Sequence, residues 1–320
     1  MKQKIFALTG VAAMMFSLQA AAAVKVYIPL GSANTVIKVD AATGQIEGNY
    51  PGPVNPHGLV AVPGSDYLMA GSLYQDGETS YLYKVHPGHG HVMSKTAVKG
   101  WTHHQAATPD GRYVISTHGM AGDISVFDMK ANKVVKRIPT GEVPNYTLVS
   151  ADGRTAWVSN AGSNDIAEVD LEAGKVTRRL ESGPSPEHMA FDSSREHIWV
   201  SNADAGTVSQ VDIASGKVVR TVPLGAEVHG LDASTDGRSL YVSVKGADKI
   251  VRIDTVTGAL ASAPLGPKPY HLNTIPGTDL VFVSSRAEPV VWAVDGKTLQ
   301  VRYTVSLPGG EGHQMAVVDE

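Results

Sequence analysis

WVSNAGSNDIAEVDLEAGKV (Trp157–Val176), WVSNADAGTVSQVDIASGKV (Trp199–Val218) and YVSVKGADKIVRIDTVTGAL (Tyr241–Leu260) are three copies of one design. Each begins 42 residues after the one before it. The Asp that closes the middle strand recurs at Asp128, Asp170, Asp212, Asp254 and Asp295, in steps of 42, 42, 42 and 41. Asp40 lies two slightly longer repeats before Asp128, and His86 takes the place between them. Short runs of alternating, β-branched residues separated by Gly- and Asp-containing turns read as strands, not helices. A period near 42 built from such runs is one four-stranded unit per repeat, the blade of a propeller.

One repeat illustrates the unit. Strands are expected at His229–Ala233, Ser239–Val244, Lys249–Asp254 and Gly258–Ala263, joined by turns such as STDGR (Ser234–Arg238) and DTVTG (Asp254–Gly258). The 320 residues, less a leader of 23, divide into seven such units. The ends show how the ring closes. KVYIPL, TVIKVD and GQIEGNY, from Lys25 to Tyr50, supply the second, third and fourth strands of a blade, and His313–Val318 (HQMAVV) supplies a first strand. The expected fold is therefore all-β: a seven-bladed β-propeller of four-stranded antiparallel blades. Its C-terminal strand joins the N-terminal blade, so no open sheet edge remains. One domain is expected over residues 24–320.

Met1–Lys4 is a short basic start, Ile5–Leu18 an uncharged apolar run, and Gln19–Ala23 a small-residue segment. That layout is a secretory signal peptide over residues 1–23, and its apolar run is short for a membrane span. A periplasmic protein without stable membrane insertion is expected. The chain has no Cys, which excludes disulfides, thiolate metal sites and Cys nucleophiles. A net charge of −4, with no basic patch, argues against nucleic acid as a partner. The sequence holds no G-x-S-x-G, H-E-x-x-H or Walker phosphate loop, and it marks no catalytic residue.

Twelve His carry the strongest chemical signal. At the connection entering each first strand stand His57, His103, Asn145, His188, His229, His271 and His313, at steps of 46, 42, 43, 41, 42 and 42. Propeller topology collects these positions at the mouth of the central channel. Converging neutral imidazoles there are ligands for copper, zinc or iron. The competing reading is that a polar aromatic at this position belongs to the repeat and bonds a neighbouring loop. Strand alternation leaves the direction of these side chains open.

His118, Asn160, Asn202, Lys245 and Arg286, from loops after the second strands, are further candidates on the same face. His118 and His104 can complete a cluster, while Lys245 and Arg286 suit an anionic group such as a carboxylate or propionate. His86–His91 (HPGHGH) is an ordinary turn that can also capture metal, on the opposite face. Met189 and Met315 are read as packing residues and the periodic Asp set as turn formers.

The pattern YVSN/WVSN, then V-x-V-D, D-x-x-T-G-K-V and PDGR turns, resembles the YVTN-repeat β-propeller family across the mature chain. The resemblance implies fold more than function. Related propellers serve as surface-layer modules, as periplasmic binding proteins, and as the haem-carrying domain of cytochrome-type nitrite reductase, which has eight blades. Nitrous oxide reductase carries a multi-copper centre on a seven-bladed propeller. The expectation is an exported binding propeller whose His ring holds a transition metal or metal-tetrapyrrole, with a small ligand or a periplasmic protein as partner. A copper redox enzyme, a cofactor-free interaction scaffold and, last, a lactonase-like hydrolase are the alternatives.

Overall fold

The computed structural model describes residues 23–320, so the leader reading lies outside the described residues. Twenty-eight strands form seven four-stranded sheets. Within each sheet the strands are antiparallel and, six times out of seven, follow chain order. The exception is the closing blade, where Ala316–Asp319 pairs with Val24–Leu30 through Val24↔Asp319, Lys25↔Val318, Val26↔Val317 and Tyr27↔Ala316. Among the described residues, two single-turn 3-10 segments, Pro87–His89 and Lys245–Ala247, interrupt an otherwise all-β fold. Among the described residues no helix is long and apolar enough to cross a membrane.

Burial explains the sequence pattern. Second strands such as Thr155–Asn160 and His197–Asn202 are buried along almost their whole length, because neighbouring blades cover both their faces. Outer strands such as Lys175–Glu181 alternate exposed and half-buried residues, as expected with one face in water. Trp199, fully buried, packs with Val208, Leu240 and Val242 between two blades. Burying a side chain of that class contributes roughly 2–3 kcal/mol. The periodic Asp residues are turn formers as read: Asp170 accepts from Ala173 N, Asp212 from Ser215 N, and Asp254 from Val256 N and Thr257 N. Met189 and Met315 lie in the core.

The Ser of the V-S-N motif has a second function. Ser159 Oγ donates to the carbonyl of Glu187 in the next blade at 2.7 Å and accepts the amide of Tyr146 in its own blade at 3.0 Å. Ser201 repeats this with His229 and His188, and Thr117 with Asn145 and His104. In four blades one hydroxyl, that of Thr117, Ser159, Ser201 or Ser243, thereby fixes a residue at the start of its own inner strand and one at the start of the next. Residues at these strand starts form the candidate site.

Candidate metal centre

Four inner strands begin with Pro56, Pro144, Pro186 and Pro269. In each, the ladder register slips between the Pro and the third residue after it, as between Pro186 and Met189. The two residues in the slip escape strand alternation, so both can turn toward the channel. Superposing the blades on this feature gives two tiers. The outer tier is His57, His103, Asn145, Glu187, His229, Tyr270 and His313. The inner tier, one residue further along each strand, is Gly58, His104, Tyr146, His188, Gly230, His271 and Gln314.

This corrects the expectation of six His at one equivalent position. His188 and His271 belong to the inner tier, one residue out of step with His57 and His229. His103 keeps its outer place, but the imidazole that its blade sends into the cluster is that of His104. Glu187, Tyr146 and Tyr270 were missed because the repeats were aligned on their His. Aligning on Pro56, Pro144, Pro186 and Pro269 would have found them.

The rings do converge. His271 lies at the centre, with ring centroids 5.1 Å from His57, 5.3 Å from His104, 4.9 Å from His188 and 4.8 Å from His229. Two sets of three, His57–His104–His271 and His188–His229–His271, bring one nitrogen from each ring within 4.8 Å of the others. All five side chains are buried. The inner tier holds three imidazoles; Tyr146 and Gln314 fill two of its other places, and the remaining two are glycines. A Cβ on Gly58 would stand 2.3 Å from His103 O, and one on Gly230 2.4 Å from Tyr270 O.

Hydrogen bonding leaves the cluster unfinished. His104 Nδ1 donates to Asn145 O at 2.9 Å, which fixes its tautomer and leaves Nε2 as a free lone pair. The Nε2 atoms of His104, His188 and His229, and both ring nitrogens of His271 and His313, have no hydrogen-bond partner in the protein. Buried polar atoms are normally paired, and these seven ring nitrogens have no partner within the protein. Burial first, and mutual repulsion second, hold His57, His103, His188 and His271 well below the ordinary imidazole range. Burial brings His104 down to about 3. These imidazoles are neutral near pH 7, the state that ligates metal.

Charge surrounds the rim. Glu187 Oε2 lies 2.6 Å from His229 Nδ1; burial raises this carboxyl, and His229, His104 and Lys245 more than offset it. Tyr270 stacks on His229 with centroids 4.0 Å apart, and Lys245 and Arg286 lie 5.8 and 5.5 Å from the Tyr270 ring. Lys245 pairs with Glu227, and Arg286 with Glu311 at 3.5 Å, which is also 3.5 Å from His313 Nε2. Lys245, Lys268 and Arg286, with the carboxylates of Glu227 and Asp248, line a cleft of about 400 Å³. Deeper in the channel, Gln314 exchanges two 3.0 Å hydrogen bonds with the backbone of Gln105.

Two candidates stand apart. His118 turns into its own blade, with Nε2 2.8 Å from Ser125 Oγ, the position at which Asn202 reaches Ser209 Oγ at 2.9 Å. Asn160 is tied to Asp165 and Thr140 O in the same way. These residues, and His118 with them, pin strands instead of facing the channel. His86 and His89 stack at 4.0 Å in the turn between the third and fourth strands of their blade.

No family model matches the chain, and no curated protein matches it. Solved structures do. Hydrazine synthase of Kuenenia stuttgartiensis aligns with a TM-score of 0.69 and 22% identity, over 76% of this chain and 77% of its own. Two proteins named putative 6-phosphogluconolactonase also align. The one from Bacteroides uniformis gives 0.77 and 17% over 92% and 99%, and the one from Bacteroides fragilis 0.75 and 16% over 95% and 99%. Likeness at these identities bears on the fold alone. Sheet topology and solved neighbours thus agree that the chain is a seven-bladed β-propeller.

Proposed function

We propose that this protein binds a transition-metal ion in the imidazole cluster at its channel mouth. The carrying observation is the set of buried imidazoles whose ligating nitrogens have no partner within the protein. Two imidazoles on one tetrahedral ion, with metal–nitrogen bonds near 2.0 Å, have centroids about 5 Å apart. The six separations within the two sets run from 4.8 to 5.3 Å. An all-nitrogen set without thiolate suits copper, zinc, nickel or iron, with copper(II) the tightest. A tetrapyrrole gripped between two imidazoles requires about 6 Å between centroids on opposite sides of a flat ring. The packed cluster favours a bare ion over that alternative.

The chain's own residues would hold the ion with His57, His104, His188, His229 and His271. Asn145 O orients His104, and Glu187 orients His229. Lys245, Lys268 and Arg286 offer a carboxylate or oxyanion a place in their cleft. The leader-like first residues support a periplasmic setting, where a small anion or a protein partner meets the open face. Metal analysis decides between this reading and a cofactor-free scaffold. With His86, His89 and His91 replaced by Ser, protein incubated with copper or zinc and then desalted should retain at least one equivalent, and the same protein carrying His104→Ala/His271→Ala should retain none. Metal-free protein whose melting temperature ignores both ions would leave the scaffold.

A further inference from the structure

We infer that the cluster is built for two ions, with His271 as an imidazolate bridge between them. The inference rests on the metal-binding reading above. His271 is the one residue shared by both three-imidazole sets. It is also the one member of those sets with both ring nitrogens fully buried and unpartnered; His104, by contrast, spends Nδ1 on Asn145 O. The remaining four imidazoles fall into pairs: His57 with His104 at 5.1 Å, and His188 with His229 at 4.9 Å. Among the described residues no ring contact joins His57 to His188 or His229, or His104 to His229. His104 and His188, at 4.8 Å, form the only contact between the pairs. The pairs therefore flank His271 instead of surrounding a single point.

A neutral imidazole carries one lone pair and one N–H, so it ligates one ion. When its N–H proton passes to solvent, the second nitrogen gains a lone pair and the ring becomes a bridging anion. Two divalent ions are then held about 6 Å apart, each by the bridge and two neutral imidazoles. Each keeps an open position in a four-coordinate site. The second charge costs less here because the bridge is itself anionic and Glu187 adds a carboxylate beside His229.

The test is a copper(II) titration of the full chain in a background with His86, His89 and His91 replaced by Ser, which removes the exposed tract from the count. Metal content and electron paramagnetic resonance are read together. Two equivalents with most of the resonance signal quenched by coupling through the bridge are expected. His271→Ala should restore the full uncoupled signal of whatever copper remains. Should that variant misfold, His57→Ala serves: it should hold one equivalent with a full signal. One equivalent in the unmodified cluster, or two with full uncoupled intensity, overturns the bridge and leaves the metal site standing. No bound copper overturns both.

Discussion

Replacing His271 by Leu should change stability in opposite directions with and without metal. The side chain is buried, and neither ring nitrogen has a partner within the protein. A buried polar group left unpaired costs roughly 1–3 kcal/mol, and leucine of similar volume removes that cost without breaking a hydrogen bond. In chelator the variant should therefore be more stable than the parent by about 2 kcal/mol. At about 2 cal/mol/K of unfolding entropy per residue, a chain of this size then gains about 3 °C in melting temperature. At free metal a thousandfold above the dissociation constant, the parent gains about 4 kcal/mol while the variant, lacking the shared ligand, gains little. The order of melting temperatures inverts. Scanning calorimetry of both proteins, with chelator and with zinc, reads both signs. A variant destabilised by 2 kcal/mol or more in chelator would show that His271 is a packing element of the repeat, and the reasoning from orphaned nitrogens would fail.

Three further outcomes follow from particular contacts. His118→Asn should leave metal content unchanged and cost under about 1 kcal/mol in urea unfolding, because Asn fills the same place at Asn202; loss of metal would return His118 to the site. Gly230→Val should cost at least about 1–3 kcal/mol, since a Cβ there meets the backbone of Tyr270 at 2.4 Å and of Leu272 at 2.8 Å; an unchanged urea midpoint would contradict the packing that limits the inner tier. Asp40 is held down to about 2, first by the hydrogen bond from Lys25 and then by Thr43. A depressed carboxyl stabilises fully above its unfolded value and loses that contribution as pH falls from about 4 toward 2. Asp40→Asn should therefore flatten acid unfolding in that window, by about 1–2 kcal/mol after screening by water at its edge, whereas an unchanged profile would refute the ion pair's role.

The period of 42 made the fold legible, because every blade copies the same alternation, turn Asp and motif Ser. Closure was legible too: the N-terminal blade lacked a first strand and the last segment had only that strand. The site was legible in part. Counting His found the imidazoles, yet a one-residue slip moved His188 and His271 into the wrong tier. Strand alternation left the His directions open, and the register slip after each Pro is what lets neighbouring residues such as Glu187 and His188, or Tyr270 and His271, share one channel. Glu187 was hidden for the same reason: nothing in PEHMAF distinguishes a rim carboxylate from a surface one until the blades are superposed. His118 looked like a ring member because its partner Ser125 lies in the adjacent strand, a pairing that spacing alone does not reveal.

The most direct measurement is an anomalous-difference map from crystals soaked in copper or zinc, collected at the metal edge. The account predicts density at the channel mouth, with His57, His104 and His271, or His188, His229 and His271, at about 2.0–2.1 Å from the peak. A map with no peak there, or with metal confined to the turn at His86–His91, would contradict it.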